Sequence, residues 1–175
     1  MLPRRNIQET SLMSYSFPTE ERKLGNYILS ALEKEEKELI NAYDLGAFPM
    51  RVQSLNRTLI DKIFAVCDYY MQGKTYRNAR HLYDIYKLSE QIVIDDRFIE
   101  LLKEVRNHRI EMGTEIAPAA SFDVNLLELA QKICDEDFYK KDYNETTTKL
   151  ISDSLEYDIV KKHYKILVEK IFKYI

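Results

Sequence analysis

The sequence predicts a helix-rich α+β protein, a small N-terminal strand remnant packed on a helical bundle. Three observations carry this. Apolar residues recur at helical spacing in most stretches beyond residue 55. Glycine and proline number only four each, which leaves few tight turns and favours long helices. Strand-leaning runs occur only earlier, around Ile7–Tyr15 and at Pro49–Gln53.

In chain order, residues 5–15 read as a strand carrying Glu9, with Ile7, Thr10, Leu12 and Tyr15 as its β-leaning residues. Pro18-Thr19-Glu20-Glu21 reads as a helix opening with Thr19 as N-cap, and Leu24, Ile28, Leu29 and Leu32 fall on one face of the helix it would start. Glu33–Glu38 is a charge run suited to a solvated helix end or connector. A short helical stretch stops at Gly46, and Pro49–Gln53 forms a second strand. Residues 55–71 carry Leu59, Ile60, Ile63, Phe64, Val66, Cys67 and Tyr70 on a broad apolar face, and Gly73 is a C-terminal stop. A helix over 75–90 follows. Asp95-Asp96 caps another, running to about Met112 with Phe98, Leu101, Leu102 and Val105 inward. Gly113–Ser121 is a loop, Leu126–Cys134 a shorter helix, and Tyr143–Ser154 and Tyr157–Ile175 the last two. The final helix shows Ile159, Val160, Tyr164, Leu167, Val168, Ile171 and Phe172 at 3.6-residue spacing.

At 175 residues the chain can bury a core without staples. A net charge of −3 gives no global attraction to nucleic acid, although Lys74, Arg77, Arg80 and Lys87 form a local basic run, read as a solvated helix face ahead of a polyanion site. Cys67 and Cys134 sit in apolar stretches without metal-ligand spacing and read as reduced core thiols. The three histidines match no metal motif. No apolar run reaches membrane-spanning length and Met1-Leu2-Pro3-Arg4-Arg5 leads into no signal-peptide core, so the cytoplasm is the expected compartment. Tyrosine is abundant at 13 while tryptophan is absent, which suits half-buried helix faces and an AT-rich genome.

Two charged motifs stand out. The first is Arg57-Thr58-Leu59-Ile60-Asp61-Lys62, running into Ile63-Phe64-Ala65. The second is Arg80-His81-Leu82-Tyr83-Asp84-Ile85-Tyr86. Both set ionisable groups beside bulky hydrophobes, where charges are rarely buried unpaired. On a helix, Arg80, His81 and Asp84 share one face, so an Arg80–Asp84 pair is the simple structural expectation. Lys62 read alone is a surface lysine offset by Asp61, and Tyr83 and Tyr86 read as packing aromatics.

The order and flanks of these motifs resemble the AbiEii/AbiGii toxin-type nucleotidyltransferases, in which R-T-x-x-[ED]-K is followed about twenty residues later by R-[DH]-x-Y-D. Leu101-Leu102-Lys103-Glu104-Val105, Asp142-Tyr143 and the final helix pair are similar to the family's tail, and Pro3 through Glu9 to the strand entering its third metal carboxylate. The resemblance implies active-site roles for Lys62 and Asp84, phosphate-directed secondary roles for Arg57 and Arg80, and a metal-ligand role for Glu9. His81 stands where other members have Asp. The family's glycine loop and strand-borne D-x-D pair find no counterpart: neither Asp95-Asp96 nor Asp135-Glu136-Asp137 follows a Gly-rich strand-to-helix turn.

The resemblance thus implies the C-terminal portion of a nucleotidyltransferase, with residues 1–54 the remnant of its sheet and residues 55–175 a helical bundle. The intact family would use Mg2+ and an NTP. This chain alone is expected to bind neither tightly and to lack activity, because two-metal transfer needs more carboxylates than it offers. A truncated gene product and one half of a split enzyme both fit. The implied partners are an upstream N-terminal half or a cognate antitoxin, and a homodimer formed through a bare strand edge. The alternatives are a non-catalytic helical interaction module and an RNA-binding helical domain.

Overall fold

The computed structural model describes residues 18–25 and 37–175. The predicted strand over 5–15, with Glu9, and the face formed by Ile28, Leu29 and Leu32 lie outside the described residues. The chain divides into two compact units, residues 1–54 and 55–175.

In the first unit β1 (Thr19–Leu24) and β2 (Phe48–Gln53) pair antiparallel, from Thr19 opposite Gln53 to Leu24 opposite Phe48. A helix α1 (Lys37–Ala42) lies between them in sequence. The expected helix opening at Thr19 is therefore a strand instead. Its Pro-Thr-Glu-Glu opening favours a cap only locally, and pairing with a distant segment overrides it. Glu21 faces Arg51 across the ladder, a favourable charge pair. Glu20 and Arg22, two apart on one face, are linked at 3.0 Å. The Ser54 amide donates to the Pro18 carbonyl at 2.9 Å and closes that end.

The second unit is helical. It comprises α2 (Leu55–Met71), α3 (Arg80–Ser89), α4 (Asp96–Glu111), α5 (Leu126–Asp135), α6 (Lys140–Glu145) and α7 (Tyr157–Ile171), with 3-10 turns at Pro118–Ala120, Thr147–Lys149 and Phe172–Tyr174. The fold is thus α+β and predominantly helical. No helix among the described residues is long and apolar enough to cross a membrane.

Helix α2 is the central element. Leu59, Ile60, Ile63, Phe64, Val66 and Cys67 are all fully buried, and α3, α4, α5 and the Pro118 turn pack around it. It ends where the sequence says it should. Gly73 takes φ +66° and the Lys74 amide reaches back to the Tyr69 carbonyl at 2.8 Å, a Schellman-type stop. Helix α7 covers the bundle with Val160, Tyr164, Leu167, Val168 and Ile171 buried, joined by Phe172 of the closing 3-10 turn, whereas Ile159 faces outward.

The tyrosines are core material with polar ends. Tyr139, Tyr143 and Tyr164 are fully buried. The Tyr139 hydroxyl donates to the Val66 carbonyl at 2.7 Å and Tyr143 to Leu155 at 3.0 Å. The Tyr164 hydroxyl lies 3.5 Å from Cys67 Sγ. Each phenol fills volume and satisfies its oxygen, the condition under which Tyr is tolerated deep in a core. Both cysteines are free and buried, and burial pushes the Cys67 thiol up to about 12.

Helix α3 starts five residues later than its hydrophobic pattern suggests. Residues 75–79 form a turn in which Arg77 takes φ +64°, a backbone region unfavourable to a long side chain. The turn is held by a carboxylate from α6. Asp142 accepts from the amides of Arg77 at 2.9 Å and Ala79 at 3.0 Å, and Thr146 donates to the same carboxylate at 3.0 Å. Helix α4 opens as predicted, with Asp95 accepting from the Phe98 amide at 2.9 Å. Its inward face includes a residue the pattern missed: Arg106 is buried and donates to the carbonyls of Ala120, Ser121 and Val124. The helix predicted over Tyr143–Ser154 is broken. α6 ends at Glu145 and one 3-10 turn follows, because Thr146 and Thr148 side chains bond back to the carbonyls four residues earlier and compete with helix continuation.

Removing the Asp142 acceptors should strand the buried Ala79 amide and the half-buried Arg77 amide. Asp142→Ala is expected to destabilise by about 2–4 kcal/mol, read as a lower urea midpoint with an unchanged slope. Amide exchange should accelerate first at Arg77–Leu82.

Candidate functional site

The charges of the first motif divide between two directions because adjacent helix positions are about 100° apart. Arg57 and Asp61 lie one turn apart on α2 and pair at 3.0 Å. The other Asp61 oxygen lies 3.6 Å from Arg109 of α4. The Arg109 guanidinium covers the Phe64 ring, 5.2 Å from its centre, and closes on buried Asp68 two turns further along α2. Asp68 also accepts from the Ala119 amide at 2.9 Å. Burial raises the Asp68 carboxyl, opposed by Arg109 and that amide. Arg57, Asp61, Arg109 and Asp68 thus form a rail that ties α2 to α4 and to the Pro118 turn.

Lys62 points the other way, toward α3. Its ammonium lies 2.7 Å from Asp84 Oδ2. The two motifs therefore meet through their lysine and their aspartate. Asp84 pairs across the helices with Lys62 in place of the expected partner Arg80, which stands exposed as the first residue of α3. Leu82 and Ile85 anchor α3 in the core, and this fixes the rotation that turns His81 and Asp84 toward α2.

His81 sits behind the pair. Its ring stacks on Tyr69 of α2, centroids 5.7 Å apart and planes 12° apart. Its Nδ1 is 3.9 Å from Asp84 Oδ2, beyond hydrogen-bond reach, and is buried without a hydrogen-bond partner among the described residues. Burial first, then the nearby Lys62 charge, lower its pKa to about 4, against an opposing pull from Asp84. The imidazole is therefore neutral at physiological pH.

The aromatics of the second motif are engaged elsewhere. Tyr83 hydrogen-bonds to Asp153, which also pairs with Lys87 at 2.6 Å. Tyr86 meets the His163 ring edge-on at 5.0 Å.

The sequence-predicted site residues thus fall in three groups. Lys62 and Asp84 are brought into contact. Arg57 is joined to Asp61, and Arg80 flanks His81 on the exposed first turn of α3. Glu9 lies outside the described residues. Among the described residues no three His, Cys, Asp or Glu side chains converge to hold a metal ion, so the described part of the chain does not by itself fit a two-metal carboxylate set. Sequence reading missed Asp68, Arg109 and Asp142 as organisers of the site. Asp68 had a signal, a carboxylate inside the apolar run Val66-Cys67-Asp68-Tyr69; the other two pair across long sequence distances that leave no local trace.

The neutral, buried His81 makes a pH prediction. Its folded pKa lies below its unfolded value near 6.5, so the unfolded chain binds more protons between the two. The stability this group contributes is complete above about pH 6.5 and is lost as pH falls through about 4. The loss should reach roughly 3 kcal/mol at the acid end. Denaturation curves of wild type and His81→Phe across pH 4–7 should diverge with that sign, the variant lacking this slope.

Comparison with known proteins gives one result that covers most of the chain. The family model described as nucleotidyl transferase AbiEii toxin, type IV TA system, matches residues 11–171. Neither the curated proteins nor the solved structures give a significant match. The matched span contains both motifs, the helices that carry them and the contact between Lys62 and Asp84. The chain belongs to the AbiEii nucleotidyltransferase toxin family of type IV toxin–antitoxin systems.

Proposed function

We propose that this chain supplies the lysine–aspartate half of a toxin nucleotidyltransferase site, and that the family reaction it serves is nucleotide transfer from an NTP. One observation carries the reading: the two family motifs, separated in sequence, meet through Lys62 and Asp84 at 2.7 Å. A lysine is a compact point charge suited to a triphosphate. Asp84 sets its direction, and the Tyr69–His81 stack supports the aspartate from behind. Arg80, exposed at the start of α3, adds positive charge on the Lys62 side, and Arg57 acts on the opposite side of α2 through its pair with Asp61. Glu9 is the chain's candidate metal ligand.

In this reading residues 1–54 belong to the sheet part of the enzyme and residues 55–175 form its helical bundle. On this reading the chain lacks the family's glycine loop and D-x-D pair, so alone it binds nucleotide weakly and does not complete transfer. Its partners are a polypeptide bearing those motifs and a cognate antitoxin.

Two measurements test this. Calorimetric titration with an NTP should show weak binding that Lys62→Ala reduces by roughly 10- to 100-fold, the worth of one charge-assisted phosphate contact. Equal affinity for wild type and variant would remove Lys62 from the site. Incubation of the pure chain with labelled NTP, magnesium and RNA or protein acceptors should leave every acceptor unlabelled. Labelling that disappears in Asp84→Ala would show that the chain is catalytically complete.

A further inference from the structure

His81 stands where other members have Asp, and it lies beside the Lys62–Asp84 pair with no chemical step of its own in the proposed reaction. Its geometry is unusual in three respects. The ring stacks on Tyr69 of α2, a contact that favours its present orientation. Its Nδ1 is buried and has no hydrogen-bond partner among the described residues, an unfavourable state for a polar atom. The nearest acceptor is Asp84 Oδ2 at 3.9 Å, about 1 Å outside a normal bond. Asp84 belongs to the same helix, three residues on, and its side chain is 34% exposed, so His81 and Lys62 both lie within its reach.

We propose that His81 is a positioning residue, the second seat of the Asp84 carboxylate: Asp84 holds Lys62 at rest and moves onto His81 Nδ1–H when Lys62 is drawn away. What draws Lys62 away is a phosphate group, and in that clause the inference rests on the function proposed above. The exchange moves no proton. In this proposal the neutral ring's hydrogen sits on Nδ1, and one hydrogen bond replaces one ion pair. An orphaned donor becomes satisfied at the moment the ammonium is released, which lowers the cost of freeing Lys62 for an anion. A second carboxylate at position 81, as in other members, would instead repel Asp84 and hold Lys62 more tightly. The charges that face the ring are Lys62 from α2 and Arg80 and Asp84 from α3. The two cations disfavour imidazolium, which keeps the ring a neutral donor throughout.

Long-range proton–nitrogen NMR of the imidazoles in the full chain tests this, with the His81 signals assigned by their loss in His81→Phe. In wild type the ring should show a neutral state without a strong Nδ1–H bond. In Lys62→Met the carboxylate should move onto it. A downfield Nδ1 proton should appear and the ring should titrate at least one pH unit higher, a tenfold or larger gain in proton affinity. Lys62→Gln should behave alike, and Lys62→Arg, which keeps the cation, like wild type. Adding Asp84→Asn to Lys62→Met should abolish the Nδ1 signature. A purely packing role predicts unchanged Nδ1 signals in every variant, and that result would overturn the proposal, as would a signature that survives Asp84→Asn. Titrating wild type with inorganic tripolyphosphate separates the two ideas. The same signature supports both. Its absence, with the Lys62→Met response intact, supports His81 as the second seat and counts against phosphate binding by Lys62.

Discussion

The position of α3, and with it the site, depends on one buried carboxylate. Asp142 holds the amides of Arg77 and Ala79 from outside their own segment. That acceptor holds the amides on both sides of the positive φ of Arg77, and the Asn78 amide adds a bond to the Thr75 carbonyl at 2.9 Å. Through Asp142, the turn after Gly73 is tied to α6, and α3 starts at Arg80. The starting residue fixes the rotation of the helix. Leu82 and Ile85 then enter the core while His81 and Asp84 face α2. A start one residue earlier would rotate every side chain of the second motif by about 100°, and Asp84 would miss Lys62.

Helix α2 combines duties that usually belong to separate elements. Its apolar residues form the centre of the bundle, so it is enclosed along most of its circumference. The charges it must still carry are placed where a partner meets each one. Arg57 and Asp61 neutralise each other, and Arg109 closes over Phe64 onto Asp68. Breaking that buried contact from one side would leave an uncompensated charge, at about 3–5 kcal/mol. Arg106 does similar work on the loop before α5, where one guanidinium reaches the carbonyls of Ala120, Ser121 and Val124. These polar clamps make a loop-rich flank of the bundle rigid without extending its hydrophobic core.

Much of this was legible in the sequence, and the failures share a cause. The body of α2, its stop at Gly73, the Asp95 cap and the stripe of α7 follow from local periodicity and cap chemistry, and the structure has each. Thr19–Leu24 reads locally as a helix opening, yet it is a strand because Phe48–Gln53 pairs with it. The late start of α3 and the break after Glu145 likewise come from side chains bonding the backbone, through Asp142 and through two threonines. The motifs marked the right helices, but spacing alone gave Asp84 the wrong partner. Arg80 is its neighbour by helical arithmetic, whereas Lys62 is its neighbour only once the turn between the helices is known.

Burial sorts the motif charges by what they can do. Asp68 and Arg109 are enclosed, and separating them would leave charge without water. Lys62 and Asp84 retain 27% and 34% of their side-chain exposure, so solvent screens their attraction. An ion pair in such a setting is worth about 0–1 kcal/mol. The two are thus as close as a strong pair and as separable as a weak one. A group meant to hold helices together would gain from deeper burial, as the Asp68 rail does. A group meant to exchange its partner for an anion needs the opposite: a fixed resting direction, a small cost of release and a place for the carboxylate to go. The chain has the first through Asp84, the second through partial exposure, and a candidate for the third in the stacked ring of His81.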